Sequence, residues 1–433
     1  MFNKKNIFKN KTALRILAVI LFLLMVTAAG CRDAEKPDDG SKTSEPESGS
    51  VTESETDEVI APVTIPEEEE EPLTEPDTDE TETETEPVSE TETETDKAEE
   101  AFSQEKLPLA ARLTSNYINM LTGLPATEEE YYRRPMAIMI NNIKKSLPQV
   151  GVGLADIIYE CTVEGGLTRL MMVVNDYASC GEIGSIRSSR EYYLNFAANH
   201  NAIYMHAGGS NAAYDEIQRR RINNLDFVNG RLPASYCYRN EERRTSMGYE
   251  HSLMTDGARI VSAIEYKKYD TKISDTFVSA FNFVSYDGGV NPMTGGGDAK
   301  HVIITYNSSH FPQFIYSAGS KIYRRYQYNG MPHIDGGTDL QLEFKNVLIL
   351  NMPHSYTGDS YGHIDVDTVG SGDGYYISEG KYIPIKWSVA ANDRPMVLTN
   401  ADGSLLYMNC GKTFVNIVSD SVFKTLEMDH KNK

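Results

Sequence analysis

Ala202-Ile-Tyr-Met-His-Ala-Gly-Gly-Ser-Asn211 decides the fold class. Ala202 to Met205 reads as a short apolar strand, and His206-Ala-Gly-Gly-Ser210 is rich in turn formers. Asn211 to Arg221 then has the spacing of an amphipathic helix. A strand that enters a Gly and Ser loop and leaves as a helix is the unit of a mixed α/β arrangement. The same design recurs upstream, where Gly181-Glu-Ile-Gly-Ser-Ile-Arg-Ser-Ser-Arg190 runs into Ser189 to His200, with Tyr192, Tyr193 and Phe196 at helical spacing. Strand-like runs at Met136 to Ile140, Ile157 to Glu160 and Arg169 to Val174 precede them, and Asp256 to Tyr269 is another amphipathic helix. From Phe281 onward helix signals fade, and short strands separated by Gly, Asn and Asp turns take over. Examples are His301 to Tyr306, Val347 to Leu350, Met396 to Thr399 and Thr413 to Val418. The chain is therefore read as α+β, an N-terminal mixed α/β domain (106–280) followed by a mainly β C-terminal domain (281–420) and a polar tail (421–433).

The residues before this folded part set its location. Lys4, Lys5, Lys9, Lys11 and Arg15 precede one apolar run, Ile16 to Ala29, which ends in Ala28, Ala29 and Gly30 just before Cys31. This is the layout of a secretory signal, here residues 1–30. The run is about 14 residues long, short of the roughly 20 that a membrane-spanning helix needs. Small residues directly before a Cys resemble a bacterial lipobox, so Cys31 is expected to carry a diacylglycerol that holds the protein on the outer face of the cell membrane. Residues 31–105 form an acidic tether of Glu, Asp, Thr, Ser and Pro that cannot bury enough apolar surface to fold. It holds 29 acidic and 4 basic side chains, which accounts for the whole formal charge of −22 and leaves the folded part nearly neutral. As a coil such a tether reaches about 50 Å and stretched about 250 Å, enough to carry a domain into a Gram-positive wall.

Three groups of residues in the first half could carry chemistry. Ser188 and Glu191 have the spacing of a capping box that would start a helix beside Arg187 and Arg190, and helix N-termini with paired arginines bind anions. The alternative is that these arginines pair with Glu160 or Glu164 inside the domain. Gly208-Gly-Ser-Asn-Ala212 is a relaxed form of the nucleophile elbow, with Asp226 and His251 following in the required order. Ser210 as a plain helix N-cap is the stronger alternative, with His206 beside it as a polar group in a cleft. Glu160, Glu164 and Arg169 lie around the turn Gly165-Gly166, either as an acid and base pair or as a salt-bridged turn.

Other chemistries are disfavoured. No zinc-type spacing occurs, and His363-Ile-Asp365-Val-Asp367 with Asp359 alternates as an exposed edge strand does, so no metal and no cofactor are expected. Cys161, Cys180, Cys237 and Cys410 are irregularly spaced, which argues for free thiols. The absence of a phosphate-binding loop, a dinucleotide fingerprint and a dense basic stripe argues against nucleotide hydrolysis and nucleic-acid binding.

Asn119-Met-Leu-Thr-Gly-Leu-Pro125, Arg134-Pro-Met-Ala-Ile-Met-Ile-Asn-Asn142, Ala155-Asp-Ile-Ile-Tyr-Glu160, Val163-Glu-Gly-Gly-Leu-Thr-Arg-Leu170, Ile183 to Arg190 and His206 to Ser210 resemble, in order, the YerB family of bacterial lipoproteins. In the second half Gly380 to Trp387, Gly403 and Gly411 to Val418 look like that family's C-terminal domain. The resemblance implies a two-part extracytoplasmic domain behind a lipid anchor and carries no established activity. Its distinctive motifs fall on Glu160, Glu164, Arg169, Arg187, Arg190, His206 and Ser210, and Gly208 and Gly209 join them as candidate ligand-binding residues. The expected function is binding, without turnover, of an anionic envelope ligand such as wall polymer, or of an exported protein. Arg187 and Arg190 would grip the anion, and the Gly208 to Ser210 backbone would cradle it. The alternatives are an envelope hydrolase or transferase using Glu164, His206 or Ser210, and a scaffold for a membrane complex with an exposed apolar patch around Trp387.

Overall fold

The computed structural model describes residues 117–429, apart from Arg231, residues 287–290, Asn329 and Asp393. The signal peptide, Cys31 and the acidic tether lie outside the described residues. The N-terminal region supplies β1 (Met136–Asn141), β2 (Ile157–Thr162), β3 (Thr168–Val174), β4 (Ile203–His206) and β5 (Asn224–Asp226). Its main helices are α1 (Glu191–Ala198), α2 (Asn211–Arg220) and α3 (Gly257–Lys267). The C-terminal region is mostly β and begins with β6 (His301–Ile303), β7 (Gln313–Ser317), β8 (Ile322–Gln327), β9 (Met331–Pro332) and β10 (Asn346–Asn351). A hairpin of β11 (His354–Tyr356) and β12 (Ile364–Val366) follows, then β13 (Gly370–Ser378), β14 (Lys381–Val389), β15 (Val397–Asn400), β16 (Thr413–Val418) and β17 (Glu427–Met428). Overall the fold is α+β.

The two regions share one sheet. Its strands run β15-β14-β13-β10-β16-β2-β3-β1-β4-β5, with the short strand Gly297–Asp298 also on β14. Strand β16 is the seam, parallel to β10 on one side and to β2 on the other, with Val415 opposite both Leu348 and Tyr159. Every residue of β1, β3 and β16 is buried, which matches their nearly unbroken apolar sequences: such strands are covered on both faces. Alternate residues feed two cores. On one face Met139, Tyr159, Met171 and Val415 meet Tyr192, Tyr193 and Phe196 of α1. On the other, Ile138, Ile158, Met172 and Phe414 meet Ile260 and Ile264 of α3 and Phe314 and Tyr323 of a second sheet. Each fully buried aliphatic or aromatic side chain contributes roughly 1.5–3 kcal/mol, so the four apolar residues of β16 bind the regions together strongly.

The second sheet runs β9-β8-β7-β6-β17, with Glu343–Phe344 also paired to β8. The strands and helices assigned from sequence lie within a residue or two of those positions, apart from the one at His301, which stops at Ile303, and Thr413–Val418 coincides with its own; β5, β7 to β9, β11, β13, β14 and β17 have no sequence-based position.

Candidate functional site

Strand β4 ends at His206, and Gly208 takes a backbone φ of 76°, a conformation that a side chain would strain. The turn brings the two Gly and Ser loops side by side, with Ser189 N–H donating to Gly208 O at 2.9 Å and Ser210 N–H to Ser189 O at 3.3 Å. Asp226, at the end of β5, braces the turn by accepting from the N–H groups of Gly208, Val228 and Asn229 at 3.0, 2.9 and 3.1 Å and from Tyr214 Oη at 2.9 Å. His206 is part of that brace and not the cleft group expected. Its ring is fully buried, with Nδ1 2.8 Å from Gly208 O and Nε2 3.3 Å from Asn224 Oδ1.

Ser210 caps α2: its Oγ accepts from Ala213 N–H at 3.2 Å and donates to Glu191 Oε2 at 3.0 Å. The capping box expected from Ser188 and Glu191 does not form. Arg190 is the N-cap of α1 without a side-chain cap, because Glu191 turns to Ser210 instead of back to its own helix. The nucleophile, base and acid of an elbow do not assemble either. His251 faces Asn141 Nδ2 at 2.8 Å and Glu250 Oε1 at 3.3 Å, whereas Asp226 is spent on the loop.

The arginines arrive ion-paired. Arg190 Nε donates to Glu164 Oε2 at 3.0 Å, and its Nη2 reaches Glu164 Oε1. Arg169 donates to the same Oε1 at 3.2 Å and to Ser188 O at 2.8 Å. The turn that presents Glu164 needs the positive φ of Gly165 and Gly166, 66° and 68°. Burial would raise the Glu164 carboxyl, but Arg169 and Arg190 outweigh it and hold it at about 2. Arg187, half-buried, pairs with Glu250 at 2.8 Å.

Glu160 joins a different network, so the two carboxylates do not form an acid and base pair across one substrate. It lies fully buried under the second sheet. Its Oε1 accepts from Thr168 Oγ at 2.7 Å, Asn142 Nδ2 at 3.0 Å and His310 Nε2 at 2.6 Å, and its Oε2 from Arg325 Nη2 at 2.6 Å. Burial would raise this carboxyl too, and Arg325 with His310 brings it to about 2. Arg325 Nη1 donates to His333 Nδ1, which requires a neutral ring whose Nε2–H donates to Gln149 Oε1 at 2.9 Å. Burial and the Arg325 charge both keep His333 well below its ordinary value. Sequence reading missed Arg325, His310 and His333, since nothing local marks a partner more than 140 residues away.

The loops do form one wall of a cleft of about 580 Å³. Ser188, Arg190, Glu191, Gly209, Ser210 and Asn211 line that wall, and the loop between β11 and β12 lines the other with Thr357, Asp359, Ser360, Tyr361 and His363. Asp359 organises this loop by accepting from the N–H groups of Tyr361 and His363, each at 3.0 Å, and by facing His363 Nδ1 at 2.5 Å. Tyr361 is left 78 % exposed. Thr357, Ser360 and Tyr361 escaped the sequence reading, although an aromatic between Gly358 and Gly362 was a visible signal. Among the described residues no group of three His, Cys, Asp or Glu could hold a metal ion. The four described cysteines are free; burial pushes the Cys161 thiol well up and that of Cys180 to about 11. Trp387 is 1 % exposed and donates to Asn351 O at 2.8 Å, so the apolar surface patch expected around it does not exist. The indole is core because β14 packs that face inward.

A mixed α/β region and a mostly β region joined through one sheet, with a cleft under a hairpin loop, define the class. The chain belongs to the DUF3048 family: the family model described as "Protein of unknown function (DUF3048) N-terminal domain" matches residues 121–270, and the corresponding C-terminal domain model matches residues 302–415. It is similar to "Putative lipoprotein YerB" of Bacillus subtilis (strain 168), 27% identical over 301 residues that cover 69% of this chain and 86% of the relative. The crystal structure of YerB from Bacillus subtilis has the same fold, with a TM-score of 0.61 at 24% identity over 72% of this chain and 98% of that one. Among the described residues no helix is long and apolar enough to cross a membrane.

Proposed function

We propose that the protein is an envelope lipoprotein that acts by binding, held on the outer face of the membrane by a diacylglycerol on Cys31 and carried outward on the tether 31–105. Its ligand occupies the cleft beneath Tyr361 and is a hydroxyl-rich, uncharged stretch of wall polymer. The observation that carries this reading is that Arg190 is already paired with Glu164 where it meets the cleft. An anion there would have to break a partly buried ion pair, which is costly. The remaining lining offers the hydroxyls of Ser188, Thr357 and Ser360, the amide of Asn211, the carboxylates of Glu191 and Asp359, which disfavour an anion further, the His363 ring and the exposed aromatic ring of Tyr361. Such a mixture of a flat apolar face and a few polar groups suits a sugar. The test is calorimetry of the full chain with neutral oligomers of N-acetylglucosamine, the uncharged sugar of wall glycan, beside Tyr361→Ala. Saturable heat that weakens about tenfold in the variant, roughly 1.4 kcal/mol, supports the reading. No heat with any glycan retires it and turns the search to exported proteins.

One contact favours a second reading, an envelope hydrolase or transferase. Ser210 Oγ donates to the Glu191 carboxylate inside the cleft at a helix N-terminus, the geometry of a hydroxyl beside a base. A fluorophosphonate adduct on Ser210, lost in Glu191→Gln, would establish it.

A further inference from the structure

A second cavity, of about 480 Å³, adjoins the cleft beneath Tyr361, and Glu191 and Ala212 line both. We propose that the two are halves of one groove that holds a neutral oligosaccharide lengthwise, so that the protein binds a run of glycan chain and not a single sugar unit. Such a groove presupposes the sugar site beneath Tyr361 and sets the length of its ligand.

The same two walls bound both cavities. One wall is a continuous stretch of chain, of which Thr357 to His363 line the first cavity and Asp365 to Val369 the second. The other is built on α1 and α2. Helix α2 gives Asn211 and Ala212 to the first cavity, and Ala212, Asp215, Glu216 and Arg220 to the second. Residues 211 to 220 rise about 13 Å along the helix axis, longer than one sugar ring. Each cavity alone has the size of a small-molecule site.

The second half is built to hold hydroxyls. Asn195 Nδ2 donates to Thr368 Oγ at 2.6 Å and to Asn392 Oδ1 at 3.1 Å, which ties α1 to the opposite wall. Arg220 is engaged in the same brace, donating to Asn195 Oδ1 at 2.6 Å and to Asn392 O at 2.5 Å. Strand alternation buries Ile364 and Val366 and leaves Asp365 and Asp367 exposed, as Asp215 is on α2. Carboxylates accept hydrogen bonds from sugar hydroxyls and repel an anionic polymer. The aromatic ring in this half, Tyr192, is buried, so stacking is confined to Tyr361 in the first half. A short ligand therefore needs Tyr361 alone, and a longer one gains the carboxylates of the second half.

The full chain should be titrated calorimetrically with the dimer and the tetramer of N-acetylglucosamine, beside Tyr361→Ala and the double variant Asp215→Ala, Asp367→Ala. Both replaced carboxylates are exposed, so the double variant should keep the wild-type denaturant midpoint. The tetramer is expected to bind about tenfold more tightly than the dimer. The double variant should bring the tetramer down to the affinity of the dimer and leave the dimer unchanged, whereas Tyr361→Ala should weaken both. Equal affinities of the two oligomers for the wild type, or a tetramer advantage that survives in the double variant, would overturn the groove and leave the single sugar site standing. Binding of neither oligomer would overturn both.

Discussion

Arg325 Nη2 lies 2.6 Å from Glu160 Oε2, joining the second sheet to β2 across 165 residues of chain, with both side chains sealed from water. A buried pair is tolerable only when every charge finds partners, and Glu160 finds four. It therefore fixes how the second sheet sits on the first.

Removing one partner should cost far more than removing both. Glu160→Gln or Arg325→Met alone is expected to destabilise the fold by about 3–5 kcal/mol, because an unpaired charge or donor stays buried. The double variant should be much closer to wild type. Denaturant midpoints for the four proteins of the cycle check this, and additive losses would contradict it.

Acid should weaken the protein in two stages. His200 is buried and held at about 3, below an ordinary 6.5, so its contribution is complete above pH 6.5 and fades as the pH falls toward 3. Glu160 is depressed from 4.5 to about 2; its contribution is present above pH 4.5 and fades toward 2. Urea midpoints should thus begin to fall below pH 6.5 and fall faster below 4.5. His200→Gln should make the first limb shallower without abolishing it, because the buried His333 is lost over the same range, and should leave the second limb unchanged.

The two regions should not fold apart. A fragment ending at residue 286 leaves β2 without β16, and with it an apolar edge bearing Ile157 and Tyr159. Such a fragment is expected to aggregate or give a collapsed amide NMR spectrum, while the full chain unfolds in one transition. A well-dispersed spectrum from the fragment would show that the seam is dispensable.

The loop brace and the helix cap should separate by size. Ser210→Ala removes one cap and should cost about 1 kcal/mol. Asp226→Ala strands three backbone N–H groups and Tyr214 Oη and should cost at least about 2 kcal/mol, visible as a lower midpoint at unchanged slope.

The periodic features of the sequence carried over well. Met136–Asn141 and Thr413–Val418 are strands because runs of this composition must be buried, and α1 presents Tyr192, Tyr193 and Phe196 to the core as their spacing requires. Ser210 is the N-cap that its position before Asn211 suggests. The capping box failed on a contact between helices: Glu191 had a better partner in Ser210, 19 residues on. Trp387 looked like a surface anchor because one strand read alone does not reveal which face is covered.

The sequence by itself determined the composition of the elements, the α+β class and the turns at Gly165, Gly166 and Gly208, since each depends on burial period or local backbone freedom. Only the tertiary structure decided that β16 lies between β2 and β10, that Arg190 is spent on Glu164, and that Glu191 and Ala212 line two adjoining cavities. The reason is physical. Local propensity acts over a few residues, whereas the pairing of strands and charges is settled by which surfaces can be buried together once the whole chain is closed.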